Sequence, residues 1–246
     1  MKKIKNPLIR RIPKELIGDW KKYLVVFLFL VLTIGFVSGM YVANESMITS
    51  ANEGVTKYKQ EDGHFELKKQ ADATLLSAIE TGEKADFKAT KTTLYENFFR
   101  NEEEDYNNDG KKDGTIRVFA KTKDINLACM LQGSFPQKAD EIAIDRMHAD
   151  NVGIKVGDTV TVSGETYKVV GLLAYVNYST LHEKTTDLMF DALKFDVAMV
   201  TQDGFDRLHK SIHYTYAWKY ETEPADEAGE KTRSDNFMRA LLTQVV

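Results

Sequence analysis

The chain has 246 residues, 43% of them hydrophobic and 28% charged, with a net charge of −4. That composition is ordinary for a globular protein, and the acidic balance argues against a nucleic-acid partner. The single cysteine, Cys129, excludes an intrachain disulfide, and its apolar flanks read as a buried thiol rather than a nucleophile. An extracytoplasmic domain without disulfides suits a bacterial surface better than a eukaryotic secretory route.

Residues 1–22 form a basic lead-in: Lys2, Lys3, Lys5, Arg10, Arg11, Lys14, Lys21 and Lys22 against Glu15 and Asp19, a net of +6. Ile12, Leu16, Ile17 and Trp20 fall near one helical face, so the segment reads either as a helix in the membrane interface or as a disordered basic tail. Tyr23 to Ala43 follows, 21 residues without Asp, Glu, Lys, Arg, Asn, Gln or His. As a helix it would be about 31 Å long, close to the roughly 30 Å hydrocarbon layer of a bilayer. We therefore read 23–43 as a transmembrane helix. A signal peptide is the rival, but the run is long for one and ends Tyr41-Val42-Ala43, a poor cleavage site. Of the 33 basic and 37 acidic residues, 25 and 35 lie beyond Lys22, a net of −10 there. Lys and Arg are retained on the cytoplasmic side, which puts the N-terminus inside and the bulk of the chain outside the cell membrane.

Met47, Ala51, Val55 and Tyr58 continue a helical stripe, so residues 44–60 read as a stalk. The remainder, 61–246, reads as one α+β domain. Phe65 and Leu67 suggest a short strand, and Ala71, Leu75, Leu76 and Ile79 a helix ended by Gly82. Residues 101–114 (NEEEDYNNDGKKDG) show no hydrophobic period and read as an exposed loop. Strands are expected at 115–122, 141–144, 159–162, 166–176, 195–201 and 213–220. The third and fourth are joined as a hairpin by Ser163-Gly164-Glu165. Helical pieces are expected at 146–151, 186–193, 202–209 and 225–246.

The sequence contains no G-x-x-x-x-G-K-[ST] loop, no G-x-S-x-G elbow, no H-E-x-x-H and no C-x-x-C. We therefore expect no enzyme and no nucleotide binding by the chain itself. The histidines at 64, 148, 182, 209 and 213 are scattered and read as surface or helix-end groups. One local motif points to a metal. Asp105, Asn107, Asp109 and Asp113 place oxygens at positions 1, 3, 5 and 9 of a calcium loop, with Gly110 at position 6. Position 12, where a bidentate Glu is needed, is Ile116. Any calcium site would be weak or would borrow a carboxylate from elsewhere, such as Glu103 or Glu104, and the alternative is a solvated turn-forming loop.

Residues 141–181 (EIAIDRMHADNVGIKVGDTVTVSGETYKVVGLLAYVNYSTL), placed after a single span with its basic flank and stalk, resemble the FtsX-like ABC transporter permeases. The likeness is to their MacB-type extracytoplasmic core domain. The resemblance implies a permease subunit that binds no nucleotide but pairs with a cytoplasmic ABC ATPase, in the bilayer, with a second permease copy as a further partner. The ATPase would move the outer domain through span and stalk, for export or extraction of peptides or lipid-like substrates. The family carries three further spans, and no second apolar run follows here, so the chain is expected to be a fragment, a truncated product or one piece of a split system. The other reading is a single-span extracytoplasmic sensor or binding protein.

Overall fold

The computed structural model describes residues 17–81, 92–184, 186–222 and 225–245. It comprises two compact units, Met1–Glu53 and Gly54–Val246. The first is dominated by helix α1, which runs unbroken from Trp20 to Lys57 and so covers the expected span and most of the expected stalk. None of its residues is buried, and Phe29, Leu32 and Phe36 are 69%, 70% and 70% exposed. A helix that is apolar on every side offers no polar face to water; it belongs in lipid or inside an apolar packing. The Thr33 hydroxyl turns back to donate to the Phe29 carbonyl at 2.8 Å, satisfying itself without solvent. Ile17 and Trp20 are exposed, whereas Ile12 and Leu16 of the expected interfacial face lie outside the described residues.

In the second unit the order is β1 (Gly63–Leu67), α2 (Ala73–Thr81), β2 (Thr92–Glu96), β3 (Phe99–Asp105), β4 (Gly114–Ala120), β5 (Ala128–Gly133) and β6 (Glu141–Asp145). Then come α3 (Arg146–Val152), β7 (Thr159–Val162), β8 (Glu165–Tyr175), β9 (Phe195–Val200), α4 (Gln202–Asp206), β10 (Tyr214–Tyr220) and α5 (Glu227–Val245). The architecture is α+β. One sheet has three antiparallel strands in the order β1-β10-β2. The other has seven, β5-β8-β6-β9-β4-β3-β7, and β7 also pairs with β8. That last pairing closes six strands into a ring, with β5 added along the far half of the 11-residue β8. Pairs β4–β9 and β6–β8 are parallel and the rest antiparallel.

One face of the seven-stranded sheet carries Ile116, Val118, Ile142, Ile144, Ala198 and Val200, packed with Ala149 of α3 and Phe205 of α4. The other carries Phe119, Leu173, Val197 and Met199 with Leu181. A third cluster packs Phe237 and Leu241 of α5 on Trp218 and Tyr220 of β10, with Ile79 of α2.

Local chemistry explains the block 141–175. Asp145 caps α3 by accepting from the Met147 and His148 N–H groups, and Gly153 ends it in the left-handed conformation (φ 85°). The β7–β8 connection is a two-residue turn, Ser163 (φ 47°) and Gly164 (φ 86°), with Glu165 already paired to Val162. Two positive φ angles give the turn whose twist matches the strands it joins.

The structure departs from the sequence reading at three places. Residues 101–105 belong to strand β3, paired to β4 and β7, and only residues 106–113 remain a loop. Glu102 and Glu104 are 1% and 0% exposed, so the expected exposed loop begins later than its composition suggests. Residues 186–193 form turns instead of a helix, with Leu188 and Met189 at 98% and 84% exposure. A short helix needs an apolar surface to pack on, and these side chains meet none. Strands β2 and β5 were not anticipated, and Cys129 on β5 is only partly buried. The expected end of α2 at Gly82 lies outside the described residues.

Candidate functional site

Residues 54–62, at the end of α1, are woven into the second unit. The chain leaves the helix through Lys59 in the left-handed region (φ 50°). From there the Tyr58 and Lys59 carbonyls accept the N–H groups of Leu127 (2.8 Å) and Asn126 (3.0 Å), just before β5. The Tyr58 hydroxyl donates to the Cys129 sulfur at 2.8 Å, a bond that raises the tyrosine pKa. Asn126, 1% exposed, uses both ends of its amide on Glu61: Oδ1 accepts the Glu61 N–H (3.0 Å) and Nδ2 donates to Oε2 (2.5 Å). One residue further, Asp62 pairs with Lys219 (2.6 Å), accepts the Tyr220 N–H (2.7 Å) and donates its own N–H to the Trp218 carbonyl. Four of the five residues from Tyr58 to Asp62 thus fasten the helix end to β5 and the residues before it, and to β10 of the other sheet.

Beside this junction lies a cleft of about 920 Å³ that reaches from Glu61 and His64 to Arg117 and His213. Arg117 lies 4.3 Å from the Phe99 ring centroid and 5.2 Å from that of Phe195. It donates to Asn101 Oδ1, the Tyr178 hydroxyl and the Glu183 carbonyl, but has no carboxylate partner among the described residues. His213 stacks on Phe99 at 4.6 Å and contacts Glu66 at 2.8 Å. His64 contacts Glu61 at 2.7 Å, and that bond raises its pKa against the opposing effect of burial. An arginine on aromatic faces can hold a carboxylate or phosphate group.

The side-chain oxygens of the expected calcium loop accept hydrogen bonds from the loop's own main chain. Asp105 accepts the N–H groups of Asp109 and Gly110, and Asp113 those of Tyr106 and Asn107. Asn107 Oδ1 accepts from Asp109, and Asp109 from Lys111. Ile116, at the twelfth position, is fully buried in β4.

Directly next to Asp105 the structure assembles a group that sequence reasoning missed. Glu104, His148 and Asp196 are all 0% exposed, with one ligand atom from each within 4.8 Å of the others. His148 was expected at the surface or a helix end; it is in the first turn of α3 but wholly enclosed, edge-on to Tyr106. Burial opposes its charge, yet the Asp196 and Glu104 carboxylates more than offset this and raise its pKa to about 9. Asp196 is pushed well above the usual carboxylate range by burial and by the neighbouring Glu104 and Asp145 charges, with His148 opposing. The only signal in the sequence was Asp196 inside an otherwise apolar strand, FDVAMV.

No family model matches the sequence, nor does any curated protein. Among solved structures, the periplasmic region of MacB from Actinobacillus actinomycetemcomitans is similar at 9% identity, over 66% of this chain and 72% of that one, with a TM-score of 0.36. So is the extracellular domain of YknZ, a noncanonic ABC-type transporter from Gram-positive bacteria. It has 14% identity over 74% of this chain and 94% of that one, also with a TM-score of 0.36.

Proposed function

We propose that this chain is the membrane subunit, or the N-terminal part of the membrane subunit, of an ABC-type transporter. A separate cytoplasmic ATPase would act on the basic N-terminal side, and α1 would carry its motion to an outer domain that exports or extracts a peptide or lipid-like substrate. The observation that supports this most is continuity. One helix passes from the apolar stretch to Lys57 without a break, and four of the next five residues, Tyr58, Lys59, Glu61 and Asp62, are bonded into the domain. A domain that is to be displaced by its helix needs bonds to the end of that helix, and this one has them. The resemblance of residues 141–181 to FtsX-like permeases points the same way. On this reading the chain needs no catalytic residue.

The test is recovery of the untruncated protein from gently solubilised membranes. An ATP-binding subunit should co-purify with it. Recovery without one, under conditions that keep the domain folded, would overturn the proposal.

A further inference from the structure

We propose that Glu104, His148 and Asp196 form a binding site for one divalent transition-metal ion of the zinc class. The three come from the carboxyl end of β3, the first turn of the helix following β6, and the amino end of β9. Register places these at one end of the six-strand ring, since Glu104 pairs with Gly114, Thr115 with Phe195 and Ile144 with Ala198.

Three observations carry the proposal. First, the atoms that face one another have nothing else to bind. Glu104 Oε1 has only His148 Nε2 beside it, at a long 3.4 Å, and neither Glu104 Oε2 nor Asp196 Oδ2 has a hydrogen-bond partner, although all are buried. Buried lone pairs left bare in a native fold call for an occupant. Second, the outer atoms of the same side chains are already anchored. His148 Nδ1 lies 2.7 Å from the Ala192 carbonyl, which only accepts, so this nitrogen carries a hydrogen, and a metal ion would replace the proton on Nε2 and take its lone pair. Asp196 Oδ1 accepts the N–H groups of Val197 (2.7 Å) and Asp145 (3.2 Å), which leaves Oδ2 free. Metal-binding histidines and carboxylates are oriented in just this way by groups behind them. Third, the spacing fits. Zinc–nitrogen and zinc–oxygen bonds of about 2.1 Å set adjacent ligands of a tetrahedron about 3.4 Å apart, and His148 Nε2 lies 3.4 Å from Glu104 Oε1. One imidazole with two carboxylates suits zinc, cobalt or manganese better than a thiolate-seeking ion. The site is separate from the Asp105–Asp113 loop, whose oxygens take main-chain donors.

The test uses the untagged full chain in detergent, stripped with a chelator and titrated with Zn²⁺ and with Co²⁺. One Zn²⁺ per chain should bind. Co²⁺ should develop the strong visible bands of a four-coordinate nitrogen and oxygen site. Glu104→Gln and Asp196→Asn should each weaken Zn²⁺ binding by at least about 100-fold, while Asp109→Asn should leave it unchanged. If the carboxylate variants do not fold, the Co²⁺ spectrum of the unaltered chain decides. A folded, stripped protein that takes up neither ion would overturn the proposal, as would folded Glu104→Gln that binds Zn²⁺ undiminished. The three groups would then be held together by shared protons alone.

Discussion

Asn126 is a small residue with three jobs. It adopts a left-handed backbone (φ 47°), which asparagine tolerates, and each end of its amide is bonded to Glu61. Asn126→Ala leaves the Glu61 N–H and carboxylate without these partners. We predict a loss of about 1–3 kcal/mol in denaturant unfolding of the full chain; an unchanged midpoint would show that the clamp is idle. His64 binds the other side of Glu61, and its raised pKa fixes the sign of a pH effect. A histidine whose folded pKa lies above its unfolded value of about 6.5 adds stability below that pH, and the gain disappears as pH rises through the folded value. The side chain is 51% exposed, so the effect is small. Melting temperatures of the wild type and Glu61→Gln should therefore draw closer as pH rises above 6.5 through that window, and parallel curves would contradict it. Neither Asn126 nor Glu104 was legible in sequence. Asn126 stands between Ile125 and Leu127, with nothing local to mark its bonds to Glu61. The glutamates at 102 and 104 break the inward-apolar alternation that identifies a strand, because their partners are distant: Ser163 and the Lys210 N–H for Glu102, His148 for Glu104.

Elements with local causes could be read in advance. The α3 helix has its cap and its terminal glycine, and β7 and β8 alternate around a turn that needs positive φ. Strands β4, β6 and β9 are apolar runs of the usual length. What escaped depends on tertiary pairing: β5 pairs along the far half of the long β8, and in 186–193 Leu188 and Met189 are exposed while Ala192 alone is buried in the core. Gly114 shows how tightly β4 is seated. A Cβ there would come within 2.6 Å of the Lys194 carbonyl oxygen, which accepts the Thr115 N–H and cannot easily move. Gly114→Ala should destabilise the domain by about 1–3 kcal/mol, the range for overpacking. A neutral result in thermal unfolding would mean that the start of β4 is looser than its register implies.

At the scale of the whole molecule, the change from a basic, then apolar, to an acidic chain marked out α1 before any coordinates, since an uncharged stretch of that length has few alternatives. The same sequence could not reveal how the helix end is joined to the two sheets, because those partners lie about 65 to 160 residues away. The account therefore rests on one arrangement: α1 in the bilayer, the basic segment within the cell and residues 61–246 outside. Protease added to intact cells tests it most directly, read by immunoblotting with one antibody against the domain and another against residues 1–22. The account predicts digestion of the domain and survival of a short N-terminal piece that alkali does not extract from the membrane. A domain spared until the cells are broken, or a chain that alkali washes off whole, would contradict it.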